Sequence, residues 1–188
     1  MARLILLDRD GVINRDSDAF VKSVAEFIPL PGAFEAIARL TRSGFKIAVC
    51  TNQSGIGRGL LTEAELERIH GKLEQGIVEA GGMLHGIRHC PHLPDDGCDC
   101  RKPKPGMALA LMQSLGVEPE ETILVGDSLR DLQAGRSAGC RAVLVRTGNG
   151  TATEADARKA GFKEVYDDLA AFSSAEIARL NAISGAQQ

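Results

Sequence analysis

Along the chain, short uniformly apolar runs alternate with stretches in which apolar residues recur every three or four positions. The first run, Leu4–Leu7, is four large aliphatics bounded by charge, the pattern of a strand buried on both faces of a parallel sheet. Similar runs cover residues 45–50, 122–125 and 142–145, with a shorter candidate at 84–88. Between them, Phe34, Ile37, Ala38 and Leu40 predict a helix over 33–43 that stops at Gly44. Leu66, Ile69, Leu73 and Ile77 predict another over 62–80, opened by a Thr62-to-Glu65 capping box and closed by Gly81 and Gly82. Helices are also expected over 107–115, before Gly116, and between the third strand and about Ala138. From Thr153 the pattern reads as a helical stretch, an edge strand near 163–166 and a last helix, with residues 183–188 frayed. Residues 14–32 and 90–106 are polar, proline-bearing loops. This alternation predicts an α/β fold, a parallel sheet with helices on both faces, because parallel neighbours need crossover connections.

Composition narrows the class. With 188 residues, 44% of them hydrophobic, the chain can bury one good core, so a single domain over 1–188 is expected. A net charge of −3 without a Lys/Arg block argues against nucleic acid or an anionic membrane as partner. Aromatics make up only 4% and Trp is absent, which leaves few stacking platforms for single-stranded nucleic acid. No apolar stretch is long enough for a signal peptide or a membrane span, so a cytoplasmic monomer is expected. Five cysteines in a reducing compartment then read as thiols or metal ligands rather than disulfides.

Chemistry gathers where the apolar runs end. Asp8 follows the first run, with Asp10 two residues later; Thr51 ends the second and Asp127 the third, with Asp131 four residues on. The carboxyl ends of strands are where open α/β sheets bind ligands, so these residues should share one rim. A carboxylate there can attack phosphorus when a magnesium ion held by acidic oxygens offsets the charge. Thr51 can offer a hydroxyl and a backbone N–H to a phosphoryl oxygen. Lys102 and Lys104 are both candidates to spread transition-state charge. The plainer reading makes Asp8 and Asp10 turn residues and the basic cluster a solvated loop.

The loop after the short candidate strand at 84–88 carries a second signal. Cys90, His92, Cys98 and Cys100 lie within eleven positions, the ligand set of a closed, structural tetrahedral zinc site. Four prolines leave this loop little core of its own, so a metal would supply its order and fix Arg101 and Lys102, directly after the last ligand. Free surface thiols, or a Cys98–Cys100 disulfide, are the competing readings. Cys50 and Cys140 read as buried small hydrophobes, and His85 as a strand-edge residue.

Taken in order, DRDGV, TNQSG, the lysine of CRKPKPG and VGDSLRD resemble the four motifs of the haloacid dehalogenase-like phosphatase superfamily, over about residues 3–166. The resemblance implies a Rossmann-like fold without a large cap domain, Asp8 as nucleophile and Asp10 as general acid and then base. It implies Thr51 and Lys102 on the phosphoryl group, and Asp8, the Asp10 backbone carbonyl and Asp127 on magnesium, with Asp131 behind them. CPH followed by CDCRKP is similar to the zinc-containing branch, whose members act on heptose bisphosphates or on histidinol phosphate. The segments from Gln53 and from Arg101 to Met107 resemble the heptose members, which implies removal of the 7-phosphate of D-glycero-D-manno-heptose 1,7-bisphosphate, a step toward lipopolysaccharide. On that likeness Arg101 meets the second phosphate or the sugar. Asp8, Arg9, Asp10, Asp16, Ser17, Asp18, Ala19, Thr51, Asn52, Gln53, Ser54 and Lys102 complete the substrate contacts. Histidinol phosphate hydrolysis is the alternative, and a zinc-stabilised binding module without turnover a more distant one.

Overall fold

The computed structural model describes residues 3–185. Six strands, β1 Leu4–Leu7, β2 Lys46–Asn52, β3 Ile87–Cys90, β4 Thr122–Gly126, β5 Arg141–Val145 and β6 Val165–Tyr166, form one parallel sheet in the order β3-β2-β1-β4-β5-β6. The chain leaves β1 toward β2 and β3, then returns to the other side of β1 with β4. That reversal beside β1 makes the crevice at which doubly wound sheets hold ligands.

β1 is central, and all four of its side chains are fully enclosed. Ile5 and Leu7 join one core with α1 Ala33–Arg42, α2 Glu63–Glu79 and α6 Leu169–Gly185, while Leu4 and Leu6 join the other with α3 Gly106–Leu115 and α4 Leu129–Ser137. Period-two alternation therefore feeds two apolar layers, which is why the sequence shows an unbroken apolar run. The helices follow their stop and start residues. Thr62 Oγ1 accepts the Glu65 N–H at 3.1 Å to open α2, and left-handed Gly116 closes α3.

Three boundaries depart from expectation. β3 lies three residues later than 84–88, because its register with β2 pairs Ile87 with Val49 and Cys90 with Asn52. His85 instead uses its backbone N–H on Ile47 O (2.7 Å) and takes the Ile47 N–H on Nδ1 (3.2 Å), guiding the chain onto the sheet. α5 begins at Gly150 rather than Thr153. Ile183 is still within α6, so fraying does not begin there; the expectation for residues 186–188 lies outside the described residues. No helix among the described residues is long and apolar enough to cross a membrane.

Candidate active site

The register places Leu7 between Val49 of β2 and Val125 of β4, so Asp8, Thr51 and Asp127 emerge on one rim. They line a cleft of about 340 Å³ with Asp10, Asp16, Ser17, Asn52, Gln53, Ser54, Arg101, Lys102 and Asp131. Of the lysine candidates the structure brings Lys102 in and leaves Lys104 outside, bonded to Gly97 O (3.2 Å) and Cys98 O (2.6 Å). Lys102 is almost fully buried. Its Nζ stands 2.9 Å from Asp8 Oδ1 and 2.6 Å from Asp131 Oδ1, and donates to Cys50 O at 2.9 Å. Burial works against its charge, but Asp131 and Asp8 outweigh burial and raise its pKa, so it stays an ammonium. Asn52 holds the Lys102 backbone at both ends: its Oδ1 accepts the Lys102 N–H (3.0 Å) and its Nδ2 donates to Lys102 O (3.1 Å).

The carboxylates crowd one another despite Lys102. Asp8 is raised well above the ordinary value, first by burial and then by Asp131, Asp127 and Asp10, with Lys102 opposing. Asp127 is pushed up to about 6 by burial and Asp131, although it accepts the Asn149 N–H (2.8 Å) and Asn149 Nδ2 (3.2 Å). One oxygen each of Asp8, Asp127 and Asp131 lie within 4.8 Å of one another. Both oxygens of Asp131 are already engaged, Oδ1 by Lys102 and Oδ2 by Ser128 N–H (3.0 Å) and Oγ (2.6 Å). Asp8 Oδ2 and Asp127 Oδ1 carry no hydrogen bond among the described residues. Hard carboxylate oxygens gathered in one cleft fit magnesium. The gap is shaped by glycine: Gly11 (φ +82°) and Gly148 close on Asp127, and a Cβ at either would overlap its carboxylate.

The thiol loop gathers four donors, closer together at Cys100 than a filled zinc tetrahedron holds them. Cys90 Sγ lies 3.5 Å from His92 Nδ1, 3.7 Å from Cys98 Sγ and 3.2 Å from Cys100 Sγ, which is 3.3 Å from His92 Nδ1. A tetrahedron with zinc–sulfur bonds of about 2.3 Å and a zinc–nitrogen bond of about 2.0 Å has edges of roughly 3.5–3.8 Å. All five cysteines are free of disulfides. Burial, then Cys100, pushes the Cys90 thiol up to about 12, and a bound cation would favour its thiolate. The loop's last bond reaches the cleft: Arg101 Nη1 donates to His92 O at 3.2 Å.

A family model described as "HAD-hyrolase-like" matches residues 99–172. A D-glycero-beta-D-manno-heptose-1,7-bisphosphate 7-phosphatase of Pseudomonas aeruginosa is 50% identical over 172 residues, 92% of this chain and 96% of that protein. Its counterpart in Bordetella bronchiseptica is 51% identical over 169 residues, 90% and 94% of the two chains. The chain belongs to the haloacid dehalogenase-like phosphatase superfamily. Its fold is shared with the crystal structure of D,D-heptose 1,7-bisphosphate phosphatase from B. bronchiseptica complexed with magnesium and phosphate, at a TM-score of 0.91 and 48% identity over 94% of this chain and 99% of that one.

Three residues expected on the substrate are not part of the wall of this cleft. Arg9 has no exposed surface and turns its guanidinium to Asp10, while exposed Asp18 and Ala19 are outside the cleft wall. The haloacid dehalogenase-like cleft also takes in Phe20, Val21, Arg58, Pro94, Ser128, Arg130 and Asn149, which sequence reasoning did not single out as substrate contacts. Asn149 had a signal, since Gly148-Asn149-Gly150 is a turn sequence just past the strand β5, on the same rim.

Proposed function

We propose that this chain is a phosphomonoesterase that removes the 7-phosphate of D-glycero-D-manno-heptose 1,7-bisphosphate. The observation that carries the chemistry is the convergence of Asp8, Thr51, Lys102 and Asp127 on one cleft from four separate parts of the chain. The substrate follows from relatives of about half identity over nine-tenths of the chain that bear this activity in their names.

In the reaction, Asp8 attacks phosphorus. The bond from phosphorus to the sugar oxygen breaks, and Asp10 gives that oxygen its proton. Water then attacks the phosphorylated Asp8; Asp10, now a carboxylate, takes the water proton, and inorganic phosphate leaves. Lys102 and Thr51 hold the phosphoryl oxygens as charge builds. Asp8, Asp127 and the Asp10 carbonyl would hold magnesium, which supplies charge neutralisation and alignment of the transferred group. Cys90, His92, Cys98 and Cys100 would hold zinc and thereby keep Arg101 at the cleft mouth. Arg101, with Arg58 and Arg130 beside it, meets the second phosphate, while Asp16, Ser17, Asn52, Gln53 and Ser54 face the sugar. The reading places the chain in the cytoplasm, where a reducing compartment keeps the zinc thiols from pairing as disulfides.

A panel of phosphate esters tests this: both anomers of the heptose bisphosphate, histidinol phosphate and simple sugar phosphates, offered with magnesium. The heptose bisphosphate should have the highest kcat/KM. A clear preference for histidinol phosphate would overturn the substrate, and no turnover of any ester would overturn the enzyme.

A further inference from the structure

Arg9 is the largest fully enclosed side chain of the described residues, and it is charged. Burying a guanidinium is costly unless its charge is met, and Asp10 is the acidic group it pairs with. The pairing is a fork. Arg9 donates to Asp10 Oδ1 from Nε (3.1 Å) and Nη2 (2.9 Å), and to Oδ2 from Nη2 (2.9 Å). Asn14 Nδ2 adds a bond to Oδ1 (2.8 Å) and Gln53 Nε2 one to Oδ2 (2.8 Å). The same residue touches the nucleophile, because the Arg9 N–H donates to Asp8 Oδ1 at 2.7 Å. Its carbonyl closes the turn, accepting the N–H groups of Ile13 (2.8 Å) and Asn14 (3.2 Å).

A side chain with no exposed surface cannot touch a sugar phosphate, so its part in the reaction has to run through Asp10. Left alone, an aspartate carboxylate turns freely about its last torsion, a broad two-fold well. A planar guanidinium removes that freedom as a point charge cannot. We propose that Arg9 is a positioning residue for proton transfer, locking the Asp10 carboxylate from behind so that Oδ2, the oxygen on the Gln53 side, gives and takes the proton. Oδ1 accepts three donors and Oδ2 two, so Oδ2 is the less crowded oxygen, and of its two donors only Gln53 lies outside the Arg9 fork. This rests on the reading of Asp10 as the acid and base of ester hydrolysis. In the first step the electron pair of the broken phosphorus–oxygen bond goes to the ester oxygen, and the Oδ2 proton follows it. In the second, Oδ2 recovers a proton from the attacking water as the bond between phosphorus and Asp8 breaks.

Leaving groups discriminate this role from a purely structural one. An alkoxide needs the proton, whereas p-nitrophenolate leaves without it. In Arg9→Met and Arg9→Lys, single-turnover cleavage of an alkyl phosphate should fall by about 100-fold or more, the scale of general acid catalysis. The p-nitrophenolate burst from p-nitrophenyl phosphate should stay within about fivefold of wild type, because that step needs no general acid. Equal losses on the two esters overturn the proposal. Should Arg9→Met fail to fold, Arg9→Lys retains the charge and carries the test. Added to Asp10→Asn it should slow the alkyl ester no further, and a further loss there also overturns it. Glycerol phosphate serves as a second alkyl ester, so a wrong sugar assignment shows as poor heptose bisphosphate turnover with the Arg9 pattern intact. A wild type that cleaves neither the alkyl esters nor p-nitrophenyl phosphate overturns both readings.

Discussion

At the scale of single residues, the site is a contest between burial and charge. Asp8 is half-buried with three other carboxylates near it, and Lys102 is the ammonium that keeps the group tolerable. Asp8→Asn should abolish phosphoenzyme formation and lower turnover by about 10⁴-fold or more, as loss of a nucleophile does, with an unchanged circular dichroism spectrum. Asp127 gives a pH signature. Its pKa is about 6 in the fold against an ordinary 3.8. The unfolded chain therefore loses that proton first, and the magnesium-free fold loses stability as pH rises from about 4 to 6, by roughly 3 kcal/mol at most. Asp8, shifted the same way, adds to the loss, while Asp131, lowered by Lys102 against its own burial, is ionised throughout. We expect the Tm of the zinc-loaded, magnesium-free protein to fall between about pH 4.5 and 6.5, and magnesium to raise Tm more at the upper pH. A Tm that rises over this range in the absence of magnesium would contradict the shifts. Strand-end acids were legible in the sequence because an apolar run announces where a strand stops. The place of Arg9 was not, since arginine reads as surface until a fold encloses it.

Among the elements, the loop from Cys90 to Pro105 is the one whose order depends on something outside its own packing. Its thiols and imidazole converge, Lys104 ties it to itself, and Asn52 grips Lys102 at its far end. Cys98→Ser should lower zinc content measured by atomic absorption, and should raise hydrogen exchange over residues 91–105. Turnover should fall with it even at saturating magnesium, because Arg101 and Lys102 lose their fixed height. Full activity in a zinc-free, magnesium-restored sample would refute that coupling. The loop's ligand spacing was readable because four donors of two types within eleven positions have few other uses. β3 starts three residues after its expected place, because its Ile87-Arg88-His89-Cys90 stretch is half-buried and lacks the uniform apolar run that marks β1. Arg58, Arg130 and Phe20 come to the cleft from loop and helix positions with no pattern of their own, and only the tertiary fold reveals them.

For the molecule as a whole, the sheet does two jobs through one set of strands. Its two faces are packed by separate cores, and its carboxyl rim holds the reactive groups. Stability and chemistry should therefore separate for residues far from the rim. Phe172 on α6 is fully enclosed beside Tyr166, and Phe172→Ala should cost about 3–5 kcal/mol by urea denaturation while kcat at low temperature stays near wild type. A matched fall in kcat would mean that the rim feels the core more directly. Asp131 is the exception to that separation. With Ser128 it forms the capping box that starts α4, and with Lys102 it completes the ion pair under the cleft. A descendant that gave up hydrolysis could let Asp8 drift without harm to its architecture, yet would still need an acid here to begin a helix. In lineages that have lost the reaction, Asp131 should outlast the nucleophile, a relic of the ancestral trade preserved for reasons of construction.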